Sequence, residues 1–262
     1  MIGRGNIGLE IRKKAREMGV PLTTIEKDYV QNWLLFGISQ TKLDMALKGG
    51  TGIRKVYFAN YRFSEDLDFT LIDEFEYDDI EKNIVRAVRI AKKESGVNFD
   101  ENIEIEEINN GFELRVYFQF MGNYSQRIKL DITKKENEII LLPLEKRSII
   151  HQYSDNCNAK ILSYSLEEIF AEKVRALFQR AWPRDLYDVW RLLRLNTNIY
   201  KEVIYKKFEY KNINADISDL LKREIEFKNS WSSSLRNQLN EVPIFDDVFG
   251  QVISFLESMF RG

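Results

Sequence analysis

Two short stretches decide the reading: Lys48-Gly49-Gly50-Thr51-Gly52, and Arg62-Phe63-Ser64-Glu65-Asp66-Leu67-Asp68-Phe69. The first is glycine-rich, so its backbone N–H groups can approach an anion with little Cβ obstruction. Ahead of a helix such a turn forms a phosphate-holding nest at the positive helix end; the alternative is an ordinary tight turn. The second stretch carries two carboxylates two positions apart. On a β-strand, residues i and i+2 project from one face, so Asp66 and Asp68 would point at one spot. Two hard oxygen ligands beside a phosphate cradle make a magnesium–nucleotide site. Alone, a D-x-D pair also fits many solvated surfaces.

A third carboxylate strengthens the case. Arg127 to Thr133 alternates, with Ile128, Leu130 and Ile132 on one face and Lys129, Asp131 and Thr133 on the other. If this strand lies beside the Asp66/Asp68 strand, three carboxylates converge. They could hold two magnesium ions, one serving the attacking hydroxyl and one the triphosphate and leaving pyrophosphate. The alternative for Asp131 is a solvated strand face.

The chain is nearly neutral, with a formal net charge of −2. Residues 161–262 carry 15 Lys+Arg and 15 Asp+Glu, so no half is basic and any nucleic-acid contact must be local. One local patch stands out: Lys173, Arg175, Arg180 and Arg184, with no acid between them. Lys173 and Arg180 are seven residues apart and are expected on one helix face. Pro183 should end that helix and open the next, with Arg184, Asp185 and Asp188 following. A lysine here could neutralise triphosphate charge in the transition state; a solvated amphipathic face is the alternative. A Lys173 that only binds phosphate could be replaced by alanine without a change in melting temperature.

Around these motifs the pattern is mixed. Leu22–Phe36 reads as a helix with a Thr23/Glu26 capping box. Lys42–Leu47 reads as a short strand or helix end, Arg54–Asn60 as a helix capped by Thr51, and Asp66–Ile72 as a strand. Tyr77–Glu94 has helical period, and Asn102–Ile108, Phe112–Met121 and Arg127–Thr133 read as strands. From Leu166 the pattern is helical. The fold class is therefore α+β (α/β), with residues 1–160 as one domain and 161–262 as a helical one.

Hydrophobic residues make up 44% of the chain, enough for a sizeable core. The apolar run Trp33–Ile38 is too short to span a bilayer, and the N-terminus lacks a signal-peptide pattern, so a cytoplasmic protein with no membrane contact is expected. One cysteine, Cys157, excludes an internal disulfide and a cysteine zinc cluster. His151 is the only histidine, and no nucleophile context accompanies it. Trp231, Leu235, Leu239 and Phe255–Met259 read as helix packing.

These residues together resemble the AbiEii/AbiGii toxin-like nucleotidyltransferases of type IV toxin–antitoxin and abortive-infection systems. The resemblance runs over roughly residues 22–259. It rests on Ile25-Glu26-Lys27-Asp28-Tyr29-Val30, Leu47-Lys48-Gly49-Gly50-Thr51, Arg62–Asp68, Leu130-Asp131-Ile132, Glu172-Lys173 with Arg180, Arg184-Asp185-Leu186-Tyr187-Asp188, and Trp231 with Pro243-Ile244-Phe245. Gly52-Ile53 departs from the small residue and leucine usual after Gly-Gly-Thr. The resemblance implies a DNA polymerase beta-type nucleotidyltransferase fold, with a small mixed sheet and a C-terminal helical bundle whose Lys173 helix contributes to the active-site cleft. It implies transfer of a nucleotide from an NTP, with magnesium, to an acceptor, the 3′ end of tRNA or another RNA, and a cognate antitoxin encoded nearby. It makes Asp66, Asp68 and Asp131 metal ligands, gives Gly49, Gly50 and Thr51 to phosphate and Lys173 to the triphosphate, and has Asp185 or Asp188 complete the site. Arg62 and Ser64 keep two readings, structural support or phosphate contact. Other readings of the chain are an NTP-binding regulatory module without catalysis, or a transferase acting on protein or a small molecule.

Overall fold

Leu67, Phe69 and Leu71 are buried while Asp66 and Asp68 are half-buried, so the D-x-D stretch is a strand with one apolar face and one polar face. The structure is a computed structural model that describes residues 4–261. It divides into two units. One is the chain up to Glu138 with Leu144–Tyr164; the other is Ile139–Pro143 with Ser165 onward.

In chain order the first unit holds α1 (Arg4–Glu17), α2 (Leu22–Ser39), β1 (Met45–Lys48), α3 (Gly49–Gly52) continued by a π-helical turn over Ile53–Tyr57, and β2 (Asp66–Leu71). Then come α4 (Tyr77–Ser95), β3 (Asn98–Phe99), β4 (Glu104–Ile108), β5 (Gly111–Gln119), β6 (Gln126–Thr133), β7 (Glu145–Ser148) and β8 (Lys160–Ser163). The strands form one mixed, eight-stranded sheet in the order β3-β5-β6-β2-β1-β8-β7, with β4 paired to β5. β2 is central: it runs antiparallel to β1 and parallel to β6.

The apolar sheet face is sealed by α2 and α4. Ile80, Ile84, Ala87, Val88 and Ala91 form the buried stripe of α4, and Gly96 (φ 68) ends that helix in the left-handed conformation. α2 crosses α4 at Gly37. A Cβ there would fall 2.9 Å from the Ala87 carbonyl carbon and closer still to its oxygen.

Two helix caps differ from expectation, although α2 starts at Leu22 as read. α2 begins behind Pro21, whose fixed φ presets the turn, so Thr23 lies inside the helix and makes no cap. Glu26 accepts instead from the Met121 N–H at 2.9 Å and the Tyr124 hydroxyl at 3.3 Å. Likewise α3 starts at Gly49 rather than after Thr51. The Thr51 hydroxyl donates to the carbonyl of Asp66, and the helical stretch stops at Tyr57.

A buried ion cluster ties α2 to the π-helical turn. Asp28 accepts from Arg54 Nε (2.6 Å), Lys55 Nζ (2.7 Å) and the Tyr153 hydroxyl (2.8 Å). Burial alone would raise its pKa, but Arg54 and Lys55 hold the carboxyl well below the usual range. His151 and Cys157 are structural, as their sequence context suggests. The His151 ring joins Asn32 (3.0 Å) and Asp155 (2.6 Å). Burial first, then the nearby Asp155 charge, pushes the Cys157 thiol up to about 12.

The second unit consists of α5 (Leu166–Gln179), α6 (Pro183–Arg194), α7 (Lys201–Tyr210), α8 (Ile217–Lys222), α9 (Glu224–Leu235) and α10 (Phe245–Phe260). Ser165 caps α5 by accepting from the Glu168 N–H at 3.2 Å. Glu168 explains why Ile139–Pro143 belongs here: it accepts from the backbone N–H groups of Leu141 (3.1 Å) and Leu142 (2.8 Å). The buried Lys207 donates to the Ile139 carbonyl and bridges Glu168 (2.7 Å) and Glu172 (3.2 Å). Trp231 and Leu235 are buried packing residues, and the Trp231 indole donates to the Pro243 carbonyl at 2.8 Å. Among the described residues no helix is long and apolar enough to cross a membrane.

Gly37→Ala is expected to destabilise the chain by about 1–3 kcal/mol, because the backbone of α4 cannot move away as a side chain could. Urea unfolding with an unchanged midpoint would contradict that crossing.

Candidate functional site

β2 lies between β1 and β6, and the register fixes what stands beside each carboxylate. Asp68 is opposite Lys48 on one side and Asp131 on the other. Asp131 in turn is opposite Glu113, and Glu113 opposite Glu106. The next row runs Asp66, Lys129, Arg115, Glu104. Strands two neighbours apart in such a sheet are separated by about 4.8 Å per step, so these rows are contact rows. The register therefore brings Asp66, Asp68 and Asp131 to one face.

The glycine turn lies against the same face. Gly49 has φ 67, and a Cβ there would come within 3.0 Å of Asp68 Cγ and closer to Oδ2. A Cβ on Gly50 would meet Arg62 Nη2 at 2.5 Å. Only glycine allows the backbone to sit directly on Asp68 and the buried Arg62. Arg62 also donates to the Phe63 carbonyl at 3.1 Å, so it buttresses the loop that leads into β2. Gln31, which the sequence did not single out, clamps that loop by donating to the carbonyls of Ser64 and Glu65, both at 3.0 Å. Thr51 is fully buried with its hydroxyl on the backbone carbonyl of Asp66, so it braces the start of β2.

The face is not purely acidic. Lys129 Nζ lies 2.9 Å from Asp131 Oδ1 and 2.8 Å from Glu113 Oε2, while Arg115 also pairs with Glu113. Burial works against the Lys129 charge, but the hydrogen bonds it donates to Glu113 and Asp131 outweigh that and raise its pKa. The donor chemistry fits a hard divalent cation, since the ligands are carboxylates and a cationic group already rests on Asp131. Among the described residues, however, no three His, Cys, Asp or Glu groups stand together so that they could hold a metal ion. Asp66, Asp68 and Asp131 share a face without closing into a cage.

In the second unit the basic patch is a network. Lys173 Nζ is 2.8 Å from Asp185 Oδ1 and 2.8 Å from Asp188 Oδ2. Arg180 caps the end of α5 with extended backbone (φ −150), outside the helix, so it does not share the Lys173 face as expected. It nevertheless reaches Asp185 Oδ2 at 2.8 Å and stacks on Trp182, 3.8 Å from the ring centre. Arg184 approaches the same ring at 5.8 Å. Pro183 opens α6 at its first turn, as the sequence indicates. Lys173 and Arg175 are buried, so a solvated helix face does not describe them.

The match to known proteins agrees with this geometry. The profile described as "Nucleotidyl transferase AbiEii toxin, Type IV TA system" covers residues 33–251. The chain belongs to the AbiEii family. It is a nucleotidyltransferase with a mixed α/β architecture. Its fold is similar to MenT4, a nucleotidyltransferase toxin of Mycobacterium tuberculosis H37Rv, with TM-score 0.64 and 17% identity over 98% of this chain and 90% of that one. It is also similar to JHP933 from Helicobacter pylori, with TM-score 0.57 and 20% identity over 92% of this chain and 94% of that one. No curated protein sequence matches the chain.

Two outcomes follow from the Lys173 network. Lys173→Ala removes the cation shared by the buried Asp185 and Asp188, with Arg180 still on Asp185, and is expected to cost about 3–5 kcal/mol. The constant melting temperature expected of a purely phosphate-binding lysine would contradict this. Burial alone would raise the Asp185 pKa, but Lys173 and Arg180 lower it to about 2. A depressed carboxylate contributes stability above its unfolded pKa and loses it as pH falls through the folded one. Between about pH 4 and pH 2, wild type should lose more stability than Asp185→Asn. Parallel acid-unfolding curves for the two would refute the pairing.

Proposed function

We propose that this AbiEii nucleotidyltransferase uses magnesium to move a nucleoside monophosphate from an NTP to the 3′ end of tRNA or another RNA, as the toxin of a pair with a cognate antitoxin. The observation that carries the reading is the placement of Asp68 between the Gly49 turn and Asp131. A phosphate-approachable backbone and paired hard ligands on one face are what nucleotide transfer needs.

Asp66, Asp68 and Asp131 would hold the metal. When bound, magnesium would lower the charge barrier between the acceptor hydroxyl and the triphosphate and favour departure of pyrophosphate. The amides of Gly49 and Gly50 would take phosphate oxygens, with Arg62 fixing the loop behind them. Thr51 and Gln31 hold the entry to β2 in place, which keeps Asp66 and Asp68 aimed at one point. The acceptor hydroxyl oxygen would attack the α-phosphorus and lose its proton to solvent, and as the new P–O bond forms the bond from the α-phosphorus to the bridging oxygen breaks and pyrophosphate leaves with that oxygen. In the second unit, Asp185 and Asp188 would orient Lys173 rather than bind metal. The compartment that fits this activity is the cytoplasm, where NTP and tRNA are available.

Purified protein incubated with magnesium, total RNA and each α-labelled NTP in turn should label an RNA band. Asp66→Ala and Asp68→Ala should each reduce labelling by about 100-fold or more, because even groups behind metal ligands matter 10–100-fold. Both side chains are half-buried, so the fold should survive. Retained transfer in either variant would rule out the metal role. Label on protein rather than RNA would overturn the acceptor, and NTP binding without any transfer would overturn catalysis.

A further inference from the structure

Asp68 and Asp131 are direct neighbours on adjacent parallel strands, and Glu113 follows Asp131 in the same row. Three carboxylates in one row repel one another unless a cation lies among them. In this structure Lys48 lies opposite Asp68, and the cation on Asp131 and Glu113 is Lys129. Its ammonium bridges Asp131 (2.9 Å) and Glu113 (2.8 Å) from the adjoining row, where Asp66 and Arg115 are its register partners. Arg115 pairs with Glu113 and, at 3.4 Å, with Glu104, so the remaining basic group of this row faces away from Asp131 toward β4.

We propose that Lys129 is a positioning residue that serves as resident counter-ion of Asp131 and yields it to the metal. Resting on the assignment of Asp131 as a ligand, this reading gives Lys129 two anchors for a reason. Giving up Asp131 leaves the ammonium on Glu113, so the exchange moves one side chain by a single contact and strands no charge. Lys129 thus keeps the carboxylate face from splaying without metal, and it competes with metal for Asp131. Lys129 is about one-third exposed, so its replacement does not threaten the fold.

The test is Mn2+ binding to the full chain, read by the loss of the free-ion EPR signal. It is run with Mn2+ alone and with a non-hydrolysable NTP analogue, and melting temperatures are recorded alongside. Lys129→Met should bind Mn2+ about twofold to fivefold more tightly, the scale of one partly exposed charge pair. Lys129→Arg, which keeps the charge, should stay at the wild-type value. Asp131→Asn should weaken binding, and adding Lys129→Met to it should change nothing further. Unchanged or weaker binding by Lys129→Met would overturn the proposal, as would the same tightening in the Asp131→Asn background, which would indicate a general charge effect. Asp131→Asn with wild-type affinity would instead remove the ligand assignment beneath it.

Discussion

The register of β2 against β6 is the constraint on which the candidate site depends. Asp68 pairs with Asp131, and a slip of one residue would turn every carboxylate of β2 into the core and its apolar residues out. Burial of Leu67, Phe69 and Leu71 against α2 and α4 prevents that slip, because those side chains are fully removed from water. The hydrophobic core thus sets which face of β2 the carboxylates occupy. The Thr51 and Gln31 hydrogen bonds add the finer adjustment at the start of the strand.

Charge is handled differently on the sheet face and in the buried clusters. On the sheet face, acidic and basic side chains are interspersed along two rows that remain partly open to water, so exchange of partners is cheap. Around Lys173 and around Lys207 the ion pairs are buried, so removing the shared cation takes away a charge that water does not replace. The first arrangement suits a face that must receive a cation. The second suits positions that must not move.

Much of this was legible in the sequence because it is periodic. Alternation located β2 and β6 and put Lys129 and Asp131 on one face, and helical period located α2, α4 and the helices after Leu166. The family motifs pointed to the glycine turn and the carboxylates together. What the sequence did not show was partnership. Glu113 and Arg115 read as an ordinary strand face until the register set them beside Asp131 and Lys129. Gln31 read as one more helix residue, since its partners are backbone carbonyls 33 and 34 positions away. Thr23 and Thr51 had the right spacing to cap helices, but Pro21 precedes α2 in the cap position and α3 begins at Gly49, and a cap is decided by a residue or two. Lys173 looked like part of a solvated or phosphate-facing patch because sequence order hides the two carboxylates of α6 that fold back onto it.

The central claim is that the β2–β6 register builds a metal–nucleotide site. A crystal structure of the chain grown with Mn2+ and a non-hydrolysable NTP analogue, with anomalous data, tests it most directly. The account predicts anomalous density bounded by Asp66, Asp68 and Asp131, with triphosphate oxygens on the amides of Gly49 and Gly50. Metal and nucleotide located elsewhere, with Lys129 still seated on Asp131, would contradict it.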